Sequence, residues 1–128
     1  MVKELVDCQN EYWEFVRLLR SNPQVQGGFI DQVNITKEQQ IKYMTNHAQF
    51  YRICLVDKIP AGFVGVIGDD IRVCTDPSFQ KRGVGKFMIE EIMKEFPSAF
   101  AKVKIENEAS LKLFESCGFT KQFYILKK

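Results

Sequence analysis

The sequence predicts an α/β domain of the α+β kind, a mostly antiparallel sheet flanked by helices. Three observations carry this. Helical periodicity occupies residues 10–20 and 37–47. Three short β-rich runs follow between residues 49 and 76, separated only by turn signals. From residue 83 onward helix and strand patterns alternate. A chain of 128 residues is one domain, long enough to bury a core, and residues 1–128 are read as a single unit.

A short strand at residues 3–6 opens the chain. "NEYWEFVRLLR" then sets Tyr12, Phe15, Val16 and Leu19 on one helical face. "SNPQVQGGF" holds Pro and two glycines and reads as loop. Thr36 and Gln39 form a capping-box pair, each satisfying the other's backbone N–H, ahead of a helix over about 37–47. "FYRICLVD", "AGFVGVIG" and "DIRVCTD" read as an antiparallel meander turned at "KIP" and "GDD". Val84, Phe87, Met88, Ile92 and Phe96 give a helix over 83–95 that Pro97 stops. "AFAKVKIE" reads as a strand. Asn107 caps a helix over 108–116, Gly118 stands just past its end, and Phe119 folds back on its last turn. "FTKQFYILK" closes the chain as a strand.

Composition excludes several functions. Hydrophobic content of 45% with 27% charged residues belongs to a soluble globular protein, and a formal charge of +2 argues against a nucleic-acid partner. No apolar run approaches the roughly 18–20 residues that span a bilayer, so no membrane partner is expected. Acidic residues among the first 20 exclude a secretory signal there, and the expected compartment is cytoplasmic. Cys8, Cys54, Cys74 and Cys117 stand far apart with no CxxC pair, which reads as buried thiols in a reducing compartment rather than zinc ligands.

The densest local signal is "TDPSFQKRGVGKFM", residues 75–88. A triphosphate-binding loop would place Ser or Thr after Gly85-Lys86 to hold magnesium; Phe87 stands there, and Gln80 replaces the first glycine. The dinucleotide fingerprint fails at Met88. What remains is a strand, Gln-x-x-Gly-x-Gly and a helix. Gly83 and Gly85 let backbone approach an anion closely, and the helix N-terminus favours negative charge. The plain alternative is a tight strand-to-helix turn with solvated cations.

"DPSFQKRGVGKFMIEEI" resembles motif A of the GCN5-related N-acetyltransferases (GNAT), whose signature is [QR]-x-x-G-x-[GA]. "IENEASLKLFESCGF" resembles the same family's motif B, in which Asn opens a helix and Gly-Phe ends it. The likeness is close over residues 50–120 and rests on element order before that. It implies the family's central mixed sheet with a splayed strand pair, and acetyl-CoA as co-substrate with no metal. By this resemblance the diphosphate sits on Gln80, Lys81, Arg82, Gly83, Val84, Gly85 and Lys86. The pantetheine arm lies along the preceding strand at Val73 and Thr75, and Asn107, Ser110 and Phe114 meet it from the other side.

The reaction implied is direct attack of an amine on the thioester. It needs a base or water chain to neutralise the amine and a donor for the oxyanion, for which a strand N–H near Thr75 is the candidate. Many members protonate the leaving thiolate with a Tyr where this chain has Phe114; Tyr51, Tyr124 or water remain as substitutes, or no acid is needed. Asp69 matches the position of a basic Glu in the histone-acetylating branch, though "GDD" is also an ordinary hairpin turn. His47 has a suitable pKa but stands at a helix end.

Acceptor choice in this family is set mostly by the first helices and last strands, here about residues 21–46 and 121–125. Arg20, Pro23 and Val25 followed by Ile35, Thr36 and Glu38 look like acetyltransferases of nucleotide-linked amino sugars. A small-molecule amine is therefore the favoured partner, a peptide or protein amine the second, and a CoA-binding module without turnover a third. A homodimer is left open.

Overall fold

The computed structural model describes residues 1–26 and 34–128. Nine elements follow in order: β1 (Lys3–Asp7), α1 (Trp13–Arg20), α2 (Pro23–Gln26), α3 (Lys37–His47), β2 (Tyr51–Val56), β3 (Ile59–Ile67), β4 (Asp70–Thr75), α4 (Val84–Glu95) and α5 (Glu108–Ser116). The four strands form one sheet in the order β1-β2-β3-β4, every pair antiparallel.

Each face of the sheet is buried, and strand alternation decides which side chain faces which helix pair. Tyr51, Ile53, Leu55, Phe63 and Cys74 pack with Val16 and Leu19 of α1 and Met44 of α3. Cys54, Val56, Val64, Val66 and Ile71 pack with Val84, Met88, Ile89 and Ile92 of α4 and Phe114 of α5. The result is three layers, with α1 and α3 covering one side of the sheet, α2 beside them, and α4 and α5 covering the other.

Local chemistry explains the ends of the elements. Thr36 Oγ1 accepts from the N–H of Gln39 at 3.2 Å, and Gln39 Oε1 accepts from the N–H of Thr36 at 2.9 Å, the expected capping box of α3. Asn107 Oδ1 accepts from the N–H of Ser110 at 3.1 Å and starts α5. At the other end Gly118 adopts φ +91°, and Phe119 meets Phe114 edge-on with centroids 5.2 Å apart. α4 stops at Glu95, two residues before Pro97.

Three expectations are corrected. "SNPQVQGGF" is not all loop: Pro23–Gln26 form a helical turn whose N-terminus is closed by Asn22 Oδ1 accepting from the N–H of Gln24 at 2.9 Å. Pro at a first helical position costs no hydrogen bond. The glycines that follow lie outside the described residues. The strand expected from "AFAKVKIE" is reduced to a single parallel bridge between Phe100 and Asp70. The strand expected from "FTKQFYILK" does not form, and residues 120–128 are exposed throughout. After Phe100 the chain leaves β4, and neither stretch acquires a strand partner among the described residues, which strand composition alone cannot supply.

Candidate active site

The site is built where the chain leaves β4. Phe100 donates its N–H to the carbonyl of Asp69 and accepts from the N–H of Ile71, both at 2.8 Å. Beyond that point residues 101–106 form no strand, with Ala101 and Val103 packed against the α4 layer. Strand alternation turns the N–H groups of Val73 and Thr75 in the same direction as that of Ile71, away from β3. Past Phe100 no described strand pairs with those groups, and the side of β4 that faces segment 101–106 and the start of α5 is the candidate slot.

At the end of β4 the chain makes a tight turn into α4. Asp76 Oδ1 accepts from the N–H of Ser78 at 2.9 Å and sets a single 3-10 turn over Pro77–Phe79. Lys81 takes φ +64° and Gly83 φ +75°, so the chain enters α4 through left-handed backbone. Gly83 makes no side-chain cap, and the first bond of the helix runs from the N–H of Phe87 to the Gly83 carbonyl at 3.0 Å. The N–H groups of Val84, Gly85 and Lys86 therefore have no acceptor within the helix. They point out of its positive end, and Gly85 lies close to Thr75 at the end of β4.

Charge gathers around these donors. Lys81, Arg82 and Lys86 are exposed. Arg82 lies over the Phe79 ring at 5.5 Å, which holds its guanidinium near the turn. A fourth cation comes from the other end of the chain: the Lys3 ammonium of β1 would stand 3.7 Å from a Cβ at Gly83. Sequence reading missed Lys3, because its approach is made only by folding.

Gly85 serves a different purpose. A Cβ there would meet Leu113 Cδ2 of α5 at 2.9 Å and Thr75 Oγ1 at 3.6 Å. Its bare backbone lets β4, α4 and α5 converge at one point, which joins the turn to both walls of the slot. Val84 contributes an N–H to the turn while its side chain is buried in the core. Gln80 is exposed ahead of the turn, and Asn107 and Ser110 are half-buried at the start of α5.

The structure separates the remaining candidates. Asp69 is exposed at φ +65° in the Gly68-Asp69 hairpin, at the opposite end of β4 from the α4 turn. Phe114 is buried in the α4 layer against Phe119. Tyr51 is buried on the opposite face of the sheet, its hydroxyl 2.9 Å from that of Tyr43, and burial raises its phenol well above the usual range. Tyr124 is 81% exposed in the tail. His47 stacks on Tyr43 at 4.2 Å with Nδ1 2.9 Å from the Tyr43 carbonyl. Cys74 points away from the slot into the α1 layer, and burial, with Asp76 adding to it, pushes its thiol up to about 12. Among the described residues no group of His, Cys, Asp and Glu side chains is placed to hold a metal, and no helix is long and apolar enough to cross a membrane. A depression of about 540 Å³ between α1 and α3, lined by Glu11, Trp13, Glu14 and Gln40 among others, contains no residue of β4 or α4.

The open strand edge, the bare helix N-terminus beside it and the local cations suit a thioester carried on a diphosphate-bearing arm, and acetyl-CoA fits that description. The fold has solved counterparts. A domain from Methanocaldococcus jannaschii is similar at 20% identity and a TM-score of 0.80, over 94% of this chain and 90% of that one. The spermidine N-acetyltransferase from Vibrio cholerae, solved with CoA and spermine, is 16% identical with a TM-score of 0.81, over 98% of this chain and 85% of that one. AAC(6')-Iy, solved with a CoA-linked bisubstrate analog, is 16% identical with a TM-score of 0.74, over 100% of this chain and 97% of that one. No curated protein matches the chain in sequence. The sequence model of the acetyltransferase (GNAT) family matches residues 6–119, nearly the whole domain, and the chain belongs to that family of acetyl-CoA-dependent N-acetyltransferases.

Proposed function

We propose that this enzyme transfers the acetyl group of acetyl-CoA to a primary amine of a small molecule, with a nucleotide-linked amino sugar as the first acceptor to test. The observation that supports the binding half is the departure of residues 101–106 from β4, which leaves the N–H groups of Val73 and Thr75 beside the open N-terminus of α4.

In this reading the N–H groups of Val84, Gly85 and Lys86 hold the diphosphate, and Lys3, Lys81, Arg82 and Lys86 lower its electrostatic cost. Gln80 lies at the entrance. The pantetheine arm runs back along β4 and takes the place of the missing neighbour strand. Thr75, next to the turn, bonds the arm. A strand N–H near Thr75 donates to the oxyanion as it forms, and in this reading that of Val73, two positions farther from the turn, is the one that meets the thioester oxygen. Asn107 and Ser110 meet the arm from α5. Asp69 stands four positions before Val73, on the order of 13 Å along an extended strand, so it takes the amine's proton through water rather than by contact. With Phe114 in place of a phenol, the thiolate leaves unprotonated; a thiol pKa of about 8.5 makes that workable.

A peptide amine is the rival acceptor. The preference for a small molecule rests on the Arg20–Val25 and Ile35–Glu38 patterns flanking the acceptor side. The test follows thiol release from acetyl-CoA with amino-sugar nucleotides, simple amines and peptides in parallel. Turnover confined to small amines is the expected result, and turnover confined to peptides overturns it. Tight acetyl-CoA binding with no release on any acceptor overturns catalysis itself.

A further inference from the structure

Gln40 is the one buried polar residue among those described, and it is only half satisfied. Its side-chain NH2 donates to the Trp13 carbonyl at 2.8 Å, which ties α3 to the start of α1. That bond fixes the orientation of the amide, because only its nitrogen can donate to a carbonyl. The other polar atom, Oε1, is buried and has no hydrogen-bond partner. A buried acceptor without a donor is costly and uncommon. Gln40 also lines the depression of about 540 Å³ between α1 and α3, and at 1% exposure it belongs to the floor. That volume is of the size that takes a small molecule. The walls are of two kinds. Ile41 and the Trp13 indole are apolar, the indole held by its N–H bond to the Cys8 carbonyl at 3.1 Å. Glu11, Glu14 and Lys37 are charged. Glu14 is taken: it accepts from Arg17 Nε at 2.9 Å, and this bond, with the charges of Arg17 and Lys37, holds its carboxyl below the usual range. Glu11 and Lys37 form no salt bridge among the described residues. Lys37 is the first residue of α3, where the helix dipole adds to its positive charge. A ligand of one sign would meet a like charge here, whereas a ligand carrying both signs finds a partner for each.

We propose that this depression binds a free amino acid with an apolar side chain. Its ammonium donates to Gln40 Oε1 and faces Glu11, its carboxylate meets Lys37 at the start of α3, and its side chain lies against Trp13 and Ile41. An ammonium has three donors, enough to serve the orphaned amide oxygen and a carboxylate together. The depression holds no residue of β4 or α4, so this site is separate from the slot and does not depend on which acceptor the enzyme uses. A bound amino acid would bridge α1 and α3 at the point where Gln40 already joins them.

Trp13 is the only tryptophan of the chain, so its fluorescence reports on the depression directly and without turnover. The test titrates the 128-residue chain with L-leucine, with isoamylamine (leucine without its carboxylate) and with isocaproate (leucine without its amino group). The expected result is a saturable change with leucine at about 1 mM or below. Each analogue should bind at least about tenfold more weakly, because each forfeits a bond to a charged group. Glu11→Gln and Lys37→Gln, both at exposed positions, should each weaken leucine about two- to fivefold and leave the melting temperature unchanged. Gln40→Met should abolish the response, but it also strips the Trp13 carbonyl of its donor, so the decision rests on the two surface changes. No saturation up to about 10 mM overturns the proposal. So does an analogue that binds as well as leucine, and so does binding indifferent to both surface changes. Leucine should still saturate with acetyl-CoA bound and release no thiol from it. Competition with acetyl-CoA, or acetylation of leucine, overturns the proposal as well, because the amino acid would then lie in the slot.

Discussion

Gly83→Asp is the most informative single change at the turn. Gly83 holds φ +75°, and the space around it is open, with the Lys3 ammonium the nearest atom at 3.7 Å from a new Cβ. The cost to the fold is therefore backbone strain alone, about 1–2 kcal/mol for an L-residue in left-handed geometry, and Asp is among the residues that bear it best. A carboxylate at the N-terminus of α4 returns about 0.3–1 kcal/mol through the helix dipole. The variant should fold with a stability within about 1 kcal/mol of the parent. Its effect on acetyl-CoA should be far larger. A unit charge about 4 Å from a phosphate costs about 1 kcal/mol in bulk water and about 4 kcal/mol at the effective dielectric of a protein surface. Taking roughly 2–4 kcal/mol, affinity falls about 30-fold to several hundred-fold. Calorimetric titration at 50 and 500 mM salt, chosen because the Debye length falls from above ~10 Å to well below it, separates charge from crowding. Gly83→Ala supplies crowding and strain without charge and should lose much less. A folded Gly83→Asp protein that binds acetyl-CoA as the parent does would refute the phosphate cradle.

Lys3→Gln removes the cation that folding brings to Gly83; acetyl-CoA affinity should drop about three- to tenfold at low salt, and the difference should shrink as screening increases. An equal loss at every salt concentration would make Lys3 a packing residue. Burial raises the thiols of Cys8 and Cys54 to about 11 and that of Cys74 to about 12. Unfolded thiols ionise near pH 9, so between about pH 9 and 11 the unfolded chain holds fewer protons than the folded one, and stability must fall as pH rises. Urea midpoints at several pH values check the slope, and Cys74→Ala should flatten it. Phe114→Ala should cost about 3–5 kcal/mol because the ring is buried against Phe119; a variant as stable as the parent but inactive would place the ring at the thioester instead. Phe114→Tyr should lose about 1–3 kcal/mol for an unpartnered hydroxyl and gain no rate, whereas faster turnover would mean that thiolate departure limits the parent enzyme.

The sequence reported most where the physics is local. The Thr36–Gln39 box, the Asn107 cap, the Gly118–Phe119 closure and the Pro97 stop are each written in a few adjacent residues, and each stands in the structure. The meander was equally legible, because β-rich runs and turn residues alternate there over short distances. The errors fall where a strand depends on a distant partner. "AFAKVKIE" and "FTKQFYILK" have strand composition, but composition cannot supply an edge, and Phe100 is the only residue of the former that meets one. The site divides in the same way. Its glycines are visible in sequence because Gly-x-Gly ahead of a helix is a short local pattern. Lys3 is not, since it acquires meaning only when β1 reaches α4, and the backbone of β4 at Val73 and Thr75 was named only through the family resemblance, because its N–H direction depends on strand pairing.

That division follows from how such a slot works. A long, uniform arm with a diphosphate at one end is best held by repeated backbone donors, which are insensitive to side-chain identity. Three donors at α4 and two on β4 are exposed for one reason each, a capless helix start and a missing strand. Side chains are left to set charge, choice of acceptor and proton movement, and these can vary without disturbing the fold. Phe114 illustrates this: the ring keeps the α5 packing intact where a phenol would add an acid. On the proposed reading the rate rests on holding the thioester against Val73 and on delivery of a neutral amine, with the thiolate leaving unprotonated. The pH dependence of turnover should accordingly follow the acceptor amine's own pKa. Exchanging acceptors of different basicity, in an otherwise fixed assay, should move the rising limb of the pH–rate profile with the acceptor; a limb that stays in place would assign it to a group on the enzyme.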